Sequence, residues 1–293
     1  MRRLALLPAA ALVLSWTAIF IRFAAAEGVP SLLIATNRTM LAAAILGAYT
    51  LLFKRKSIAG MRWRTFRSAI LAGVFFGLHL YAFVLAVQSS TVANATLLVA
   101  TIPIFAAGLG RLFFRERSRP VSYLAIALTM VGSGLIVWGD VRWETAHLKG
   151  DLVAIACAIL GAMYFLMRRL VPPDQRVGFF PYVLTMNVVA WLVLLTIVIA
   201  TSQSGQLFAA TPRAWFWLFM LAFCCSAIGH SLYNKALDFF KAHVVGSWFL
   251  TEPFIATALA WLLLGEAMSW RVLWCVAPTY AGVLWVLWLE RDG

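Results

Sequence analysis

The feature that most constrains this chain is a series of apolar runs, each about 18 to 24 residues long, separated by short clusters of charge. A hydrocarbon core is crossed by about 20 helical residues. Inside it no water is available to satisfy backbone N–H and C=O groups, so such runs must be helices. The runs cover residues 4–26, 31–53, 68–87, 91–114, 120–138, 151–170, 178–200, 214–234, 243–264 and 270–289. They predict an all-α membrane protein of ten transmembrane helices. Charged residues make up only 12% of the chain, against about a quarter in a soluble domain, too few to cover a water-facing surface. The first run imitates a signal peptide, with Arg2 and Arg3 before it and Ala24, Ala25 and Ala26 at its end. It is long, holds Trp16 and Arg22, and nine more spans follow, so it is read as a retained first helix.

Lys54, Arg55, Lys56, Arg62, Arg64 and Arg67 crowd the second loop, which the positive-inside rule assigns to the cytoplasm. Both termini are then expected in the cytoplasm. Most of the 24 basic residues fall on the same side, leaving Arg22, Arg38, Arg142, Lys149, Arg213 and Arg271. The net charge of +13 is therefore loop charge. The loops are too short for a nucleic-acid domain, and no nucleic-acid partner is expected. The four cysteines lie inside apolar runs with no metal spacing.

The chain repeats at an offset of 150 residues. Pro103 falls on Pro253, Ala106 on Ala256, Leu109 on Leu259, Leu112 on Leu262, Glu116 on Glu266 and Gly132 on Gly282. Two halves result, residues 1–139 and 150–293. Five spans per half is an odd number, so the second half is predicted to lie inverted relative to the first. Inverted repeats commonly form a site near the midplane and rock about it. Pro103 and Pro253 each remove a backbone hydrogen bond, so they are the candidate hinges.

These segments, with Glu252-Pro253, Trp16 and Arg38, give the chain a resemblance to the EamA family of the drug/metabolite transporter superfamily. Gly77-Leu78-His79 and Asn94-Ala95-Thr96 make it most similar to the YddG-type exporters of aromatic and other amino acids. The resemblance implies two five-helix inverted repeats around a central cavity. It also implies export of a small molecule from the cytoplasm by alternating access, across a bacterial inner membrane. Drugs or other metabolites are the alternative cargo.

Ionisable groups inside a bilayer are costly and usually face a cavity or a partner. His79 has Phe75, Phe76 and Phe83 on its helix face and reads either as a solute-binding imidazole or as a core histidine bonded to another helix. His230, with Tyr233 and Asn234 one turn on, lies on the repeat partner of that helix, and the two imidazoles are expected on facing walls. Glu252 is the deep carboxylate: a counter-charge, a proton carrier or a packing residue beside Pro253. Asn37 and Arg38 enter the second helix, where Arg38 either snorkels, pairs structurally or binds a carboxylate. Trp16, Tyr164 and Trp248 lie on helices that the resemblance places around the cavity; packing against an aromatic solute competes with facing lipid.

The sequence contains no phosphate-binding Walker loop, His-Glu-x-x-His or nucleophile elbow. Neither an enzyme nor a cofactor is expected, and a membrane sensor or structural protein is the other class left. Ten helices can enclose a path alone, so a monomer suffices.

Overall fold

The computed structural model describes residues 3–90, 95, 98–116, 119–137, 148–172, 176, 178–264 and 270–290. Among them every regular element is helical. In chain order these are α1 (Leu6–Leu14), α2 (Thr17–Ala26), α3 (Ser31–Phe53), α4 (Arg55–Ala59), α5 (Trp63–Ser89), α6 (Ile102–Phe114), α7 (Pro120–Val137), α8 (Leu148–Met167) and α9 (Phe179–Ala200). There follow α10 (Pro212–Met220), a π-helical stretch (Leu221–Gly229), α11 (His230–Ala236), α12 (Ala242–Phe249), α13 (Glu252–Leu264) and α14 (Trp270–Glu290). Six helical stretches are long and apolar enough to cross a membrane: Leu6–Ala26, Ser31–Phe53, Trp63–Ala86, Leu148–Leu170, Phe179–Ala200 and Pro212–Ala236. Shorter apolar helices cover Ile102–Phe114, Pro120–Gly132 and Val276–Glu290.

The bundle is apolar outside and partly polar within. Leu52, Leu112, Leu124, Ile199 and Trp274 are exposed, while Asn37, Arg38, His79, Asn187, His230 and Asn234 are buried. That inversion suits a lipid surround, where apolar side chains are stable outside and polar ones need partners within.

The two predicted halves interlock. The main packing pairs are α5 with α8 and α9, α3 with α9 and the π stretch, α7 with α14, α6 with α12, and α1 with α11. Each joins an element before residue 138 to one after residue 147. Small residues let the backbones approach: a Cβ on Gly77 would lie 3.0 Å from Ala190, and one on Gly73 only 2.6 Å from the Met186 carbonyl. In the α7–α14 pair, Gly132 lies against Thr279 and Gly282 against Thr129. One register rises as the other falls, so the helices run antiparallel. The two glycines are 150 residues apart, and so are the two threonines.

Three expected spans are interrupted. The first breaks at Ser15 and Trp16, between α1 and α2. In the ninth, α12 ends at Phe249 and α13 resumes at Glu252, and Thr251 Oγ1 donates to the Trp248 carbonyl at 2.7 Å. The fourth shows the same turn 150 residues earlier: α6 starts at Ile102, and Thr101 Oγ1 donates to the Leu98 carbonyl at 2.5 Å. Both turns immediately precede the repeated prolines. Each threonine hydroxyl takes a carbonyl at the point where the helical ladder stops. The eighth span, expected as plain α-helix, is π-helical over nine residues in its middle.

One end of the bundle is tied by charge. Arg168, fully buried, reaches Asp238 at 2.8 Å and stacks over Tyr182 at 4.3 Å. Arg169 meets Glu116 at 2.6 Å, and Glu290 takes Lys241 at 2.7 Å and the Ser122 hydroxyl at 2.5 Å. Arg3 lies over Phe239 at this same end. The sequence counts Arg168 among ordinary loop charges; packing makes it a core residue.

Candidate functional site

The site is assembled where α5, α8, α11 and α12 meet, around the ring of His230. Phe76 of α5 approaches that ring edge-on at 4.7 Å, and Tyr164 of α8 lies 4.9 Å from Phe76 and 6.3 Å from His230. Phe165 lies 4.9 Å from Tyr164 and 5.4 Å from Phe249 of α12, and Phe249 stacks on Tyr233 at 4.5 Å. Six rings from both halves thus form one contiguous wall. Offset and edge-on arrangements of this kind are the favoured aromatic geometries.

Polar groups thread through the rings. Tyr233 donates its hydroxyl to Glu252 at 3.2 Å. Asn234 donates from Nδ2 to the Tyr164 oxygen at 2.5 Å and to the His230 carbonyl at 2.9 Å. His230 Nδ1, Asn234 Oδ1 and Trp248 Nε1 are buried without a hydrogen-bond partner among the described residues. Unpaired buried polar atoms are uncommon enough to need an explanation, and a solute-binding surface is one. Arg38 of α3 donates from Nε to Ser226 of the π stretch at 3.0 Å.

His79 is held against α8. Its Nδ1 bonds the Cys157 carbonyl at 2.9 Å, so that nitrogen carries the proton. The approach depends on Gly161, where a Cβ would come within 2.9 Å of the same nitrogen. Of the two sequence readings, the bond to a neighbouring helix is therefore present, and it fixes the imidazole plane. Phe76, three residues before His79 on α5, lies edge-on to His230 at 4.7 Å.

The structure brings Tyr164, His230, Tyr233 and Glu252 together, with Arg38 and His79 on neighbouring helices, and Trp248 lies in α12 one residue before Phe249. Asn37, Trp16 and Phe83 lie elsewhere. Asn37 donates to the Leu207 carbonyl at 3.0 Å and so ties α3 to the link before α10. Trp16 stacks on Phe20 at 5.7 Å in a second aromatic row that runs on to Trp217. Phe83 is half-buried and makes no ring contact among the described residues. Asn94, Thr96 and Glu266 lie outside the described residues. Phe165, Phe249 and Ser226 escaped the sequence reading. Ser226, His230 and Tyr233 do share an i, i+4, i+7 spacing, which is the one local signal for the last of these three.

The EamA-like transporter family matches the chain twice, over residues 3–138 and 148–288. The chloramphenicol-sensitive protein RarD of Pseudomonas aeruginosa is 28% identical over 191 residues, covering 64% of this chain and 58% of RarD. The uncharacterized transporter YdfC of Bacillus subtilis is 26% identical, over 66% of this chain and 62% of its own length. An uncharacterized transporter of Vibrio cholerae is 26% identical over 87% of this chain and 82% of its own. A crystal structure superposes with a TM-score of 0.80 over 99% of both chains at 17% identity, which is a likeness of fold. The duplicated match covers the two interlocked halves that build the ring-lined site, and the chain belongs to the EamA-like transporter family.

Proposed function

We propose that this membrane protein exports amino acids, aromatic and other neutral ones, from the cytoplasm by alternating access. The observation that carries this reading is the His230 ring cluster. It is a wall of six aromatic rings inside a bilayer-crossing bundle, threaded with unpartnered polar atoms and a carboxylate. Rings take up an apolar side chain. Glu252, held by Tyr233, offers a counter-charge to an ammonium group. His230 offers a further polar contact through its Nδ1.

The mechanism rests on two inverted halves of five spans each. The reciprocal Gly132–Thr279 and Gly282–Thr129 contacts support it, because swapping partners across an antiparallel pair is what a two-fold relation produces. The matched helix breaks at Thr101 and Thr251 support Pro103 and Pro253 as hinges. The charged end bearing Arg168 is then the cytoplasmic end of a protein in a bacterial inner membrane, with both termini on that side.

Proteoliposomes holding the purified chain test the reading. Labelled phenylalanine or leucine loaded inside should leave faster than from protein-free vesicles. No substrate-dependent flux for any amino acid sinks it. The name of the RarD relative favours a second reading, export of a drug or other metabolite. In that case chloramphenicol, and no amino acid, should be transported.

A further inference from the structure

The most unusual group in the bundle is Arg38. It lies in α3, is only 4% exposed, and its Nη2 has no hydrogen-bond partner among the described residues. Its described hydrogen bond is the one from Nε to Ser226. No carboxylate among the described residues neutralises it, because each is engaged elsewhere. Glu27 faces Arg213, Glu116 faces Arg169, Asp238 faces Arg168 and Glu290 faces Lys241. Asp151 takes the Ser90 hydroxyl, and Glu252 takes that of Tyr233.

A buried guanidinium without a counter-ion is strongly unfavourable, since removing a charge from water costs several kcal/mol after relaxation. Inside a membrane such a group is retained where it meets a partner. Its surroundings show which partner. Ser226 sits in the π-helical stretch, and such departures from α-geometry concentrate at functional sites. His230, one turn further on, is 4% exposed, and its Nδ1 has no hydrogen-bond partner among the described residues. Two unsatisfied polar groups, on α3 and α11, thus lie at the edge of the ring wall. A single guanidinium balances a single negative charge, and its planar fork matches a carboxylate. A phosphate dianion calls for more positive charge than this cluster holds.

We infer that Arg38 is the receptor for a carboxylate on the transported solute, with His230 beside it and the aromatic wall taking the rest of the molecule. This assignment rests on the transport reading above and narrows it: the cargo is a carboxylate-bearing molecule, and amines lacking that group are excluded. Ser226 positions the guanidinium.

The test is a ligand series on the full-length purified protein, read by melting-temperature shift in detergent and by flux in proteoliposomes. Phenylalanine, leucine and 3-phenylpropionate are each compared with the corresponding amide. The acids should half-saturate the shift at concentrations at least about tenfold lower than their amides, the scale of a charge-assisted hydrogen-bonded pair. Arg38→Gln should bring the ratio close to one, and Arg38→Lys, which keeps the charge without the fork, should fall between. If Arg38→Gln does not fold, Arg38→Lys decides, and a wild-type acid-to-amide ratio in the variant that folds overturns the assignment to Arg38. No preference for acid over amide in shift and flux overturns the assignment. A clear preference in the shift without flux overturns the exporter reading and leaves the carboxylate site standing.

Discussion

At the residue scale, environment decides what a charge does. Arg168 and Arg213 are both arginines beside a carboxylate. Arg168 is fully buried with Asp238, whereas Arg213 is 75% exposed beside Glu27. Breaking a buried pair leaves an uncompensated charge in the interior; breaking an exposed one restores hydration to both partners. Asp238→Ala should therefore destabilise the protein by about 3–5 kcal/mol. Arg213→Ala should cost no more than about 1 kcal/mol. Melting curves in detergent distinguish them, and equal shifts would show that the Arg168 network carries no special weight. At the same scale, Gly161→Ala should displace His79, because the added methyl meets Nδ1 and the bond to the Cys157 carbonyl is broken. A lost or shifted imidazole resonance in NMR of histidine-labelled protein checks it.

Elements in this protein are shaped by where backbones touch. The α7–α14 contact has no room for a side chain at Gly132, whose Cβ would overlap the Thr279 backbone. Gly132→Ala should cost about 1–3 kcal/mol through overpacking or helix separation. Gly108 lies in α6 with nothing near its Cβ position, so Gly108→Ala should be neutral or stabilise by up to about 1 kcal/mol. Both sites are glycines in apolar helices, and the sequence alone treats them alike. The π-helical stretch carries the same lesson. Residues 221–229 read as ordinary span, and only the docking of Ser226 on Arg38 and of Gly229 against Leu14 shows why a wider turn is held there.

For the whole molecule, the proposed alternating access makes the matched breaks before Pro103 and Pro253 its candidate hinges. Replacing both prolines with alanine restores two backbone donors and favours continuous helices. The double variant should fold at least as stably and carry solute several-fold more slowly. Flux at wild-type rate would identify the breaks as static. The charged network at the Arg168 end joins elements of both halves, Arg169 to Glu116 and Glu290 to Ser122.

The apolar runs determined the helices, because a backbone in lipid has no alternative to bonding itself. Six of the stretches are long enough to cross a membrane, and Ser31–Phe53 matches its expected limits. The 150-residue offset anticipated that α7 and α14 carry equivalent residues. What lay beyond the sequence were relations between distant residues: the Glu252–Tyr233 and Arg38–Ser226 bonds, the burial of Arg168, and the departure of Asn37 and Trp16 from the ring cluster. Span length and charge are properties of a local segment. Which polar group meets which partner depends on how helices rotate and approach, and close packing of the whole bundle sets that.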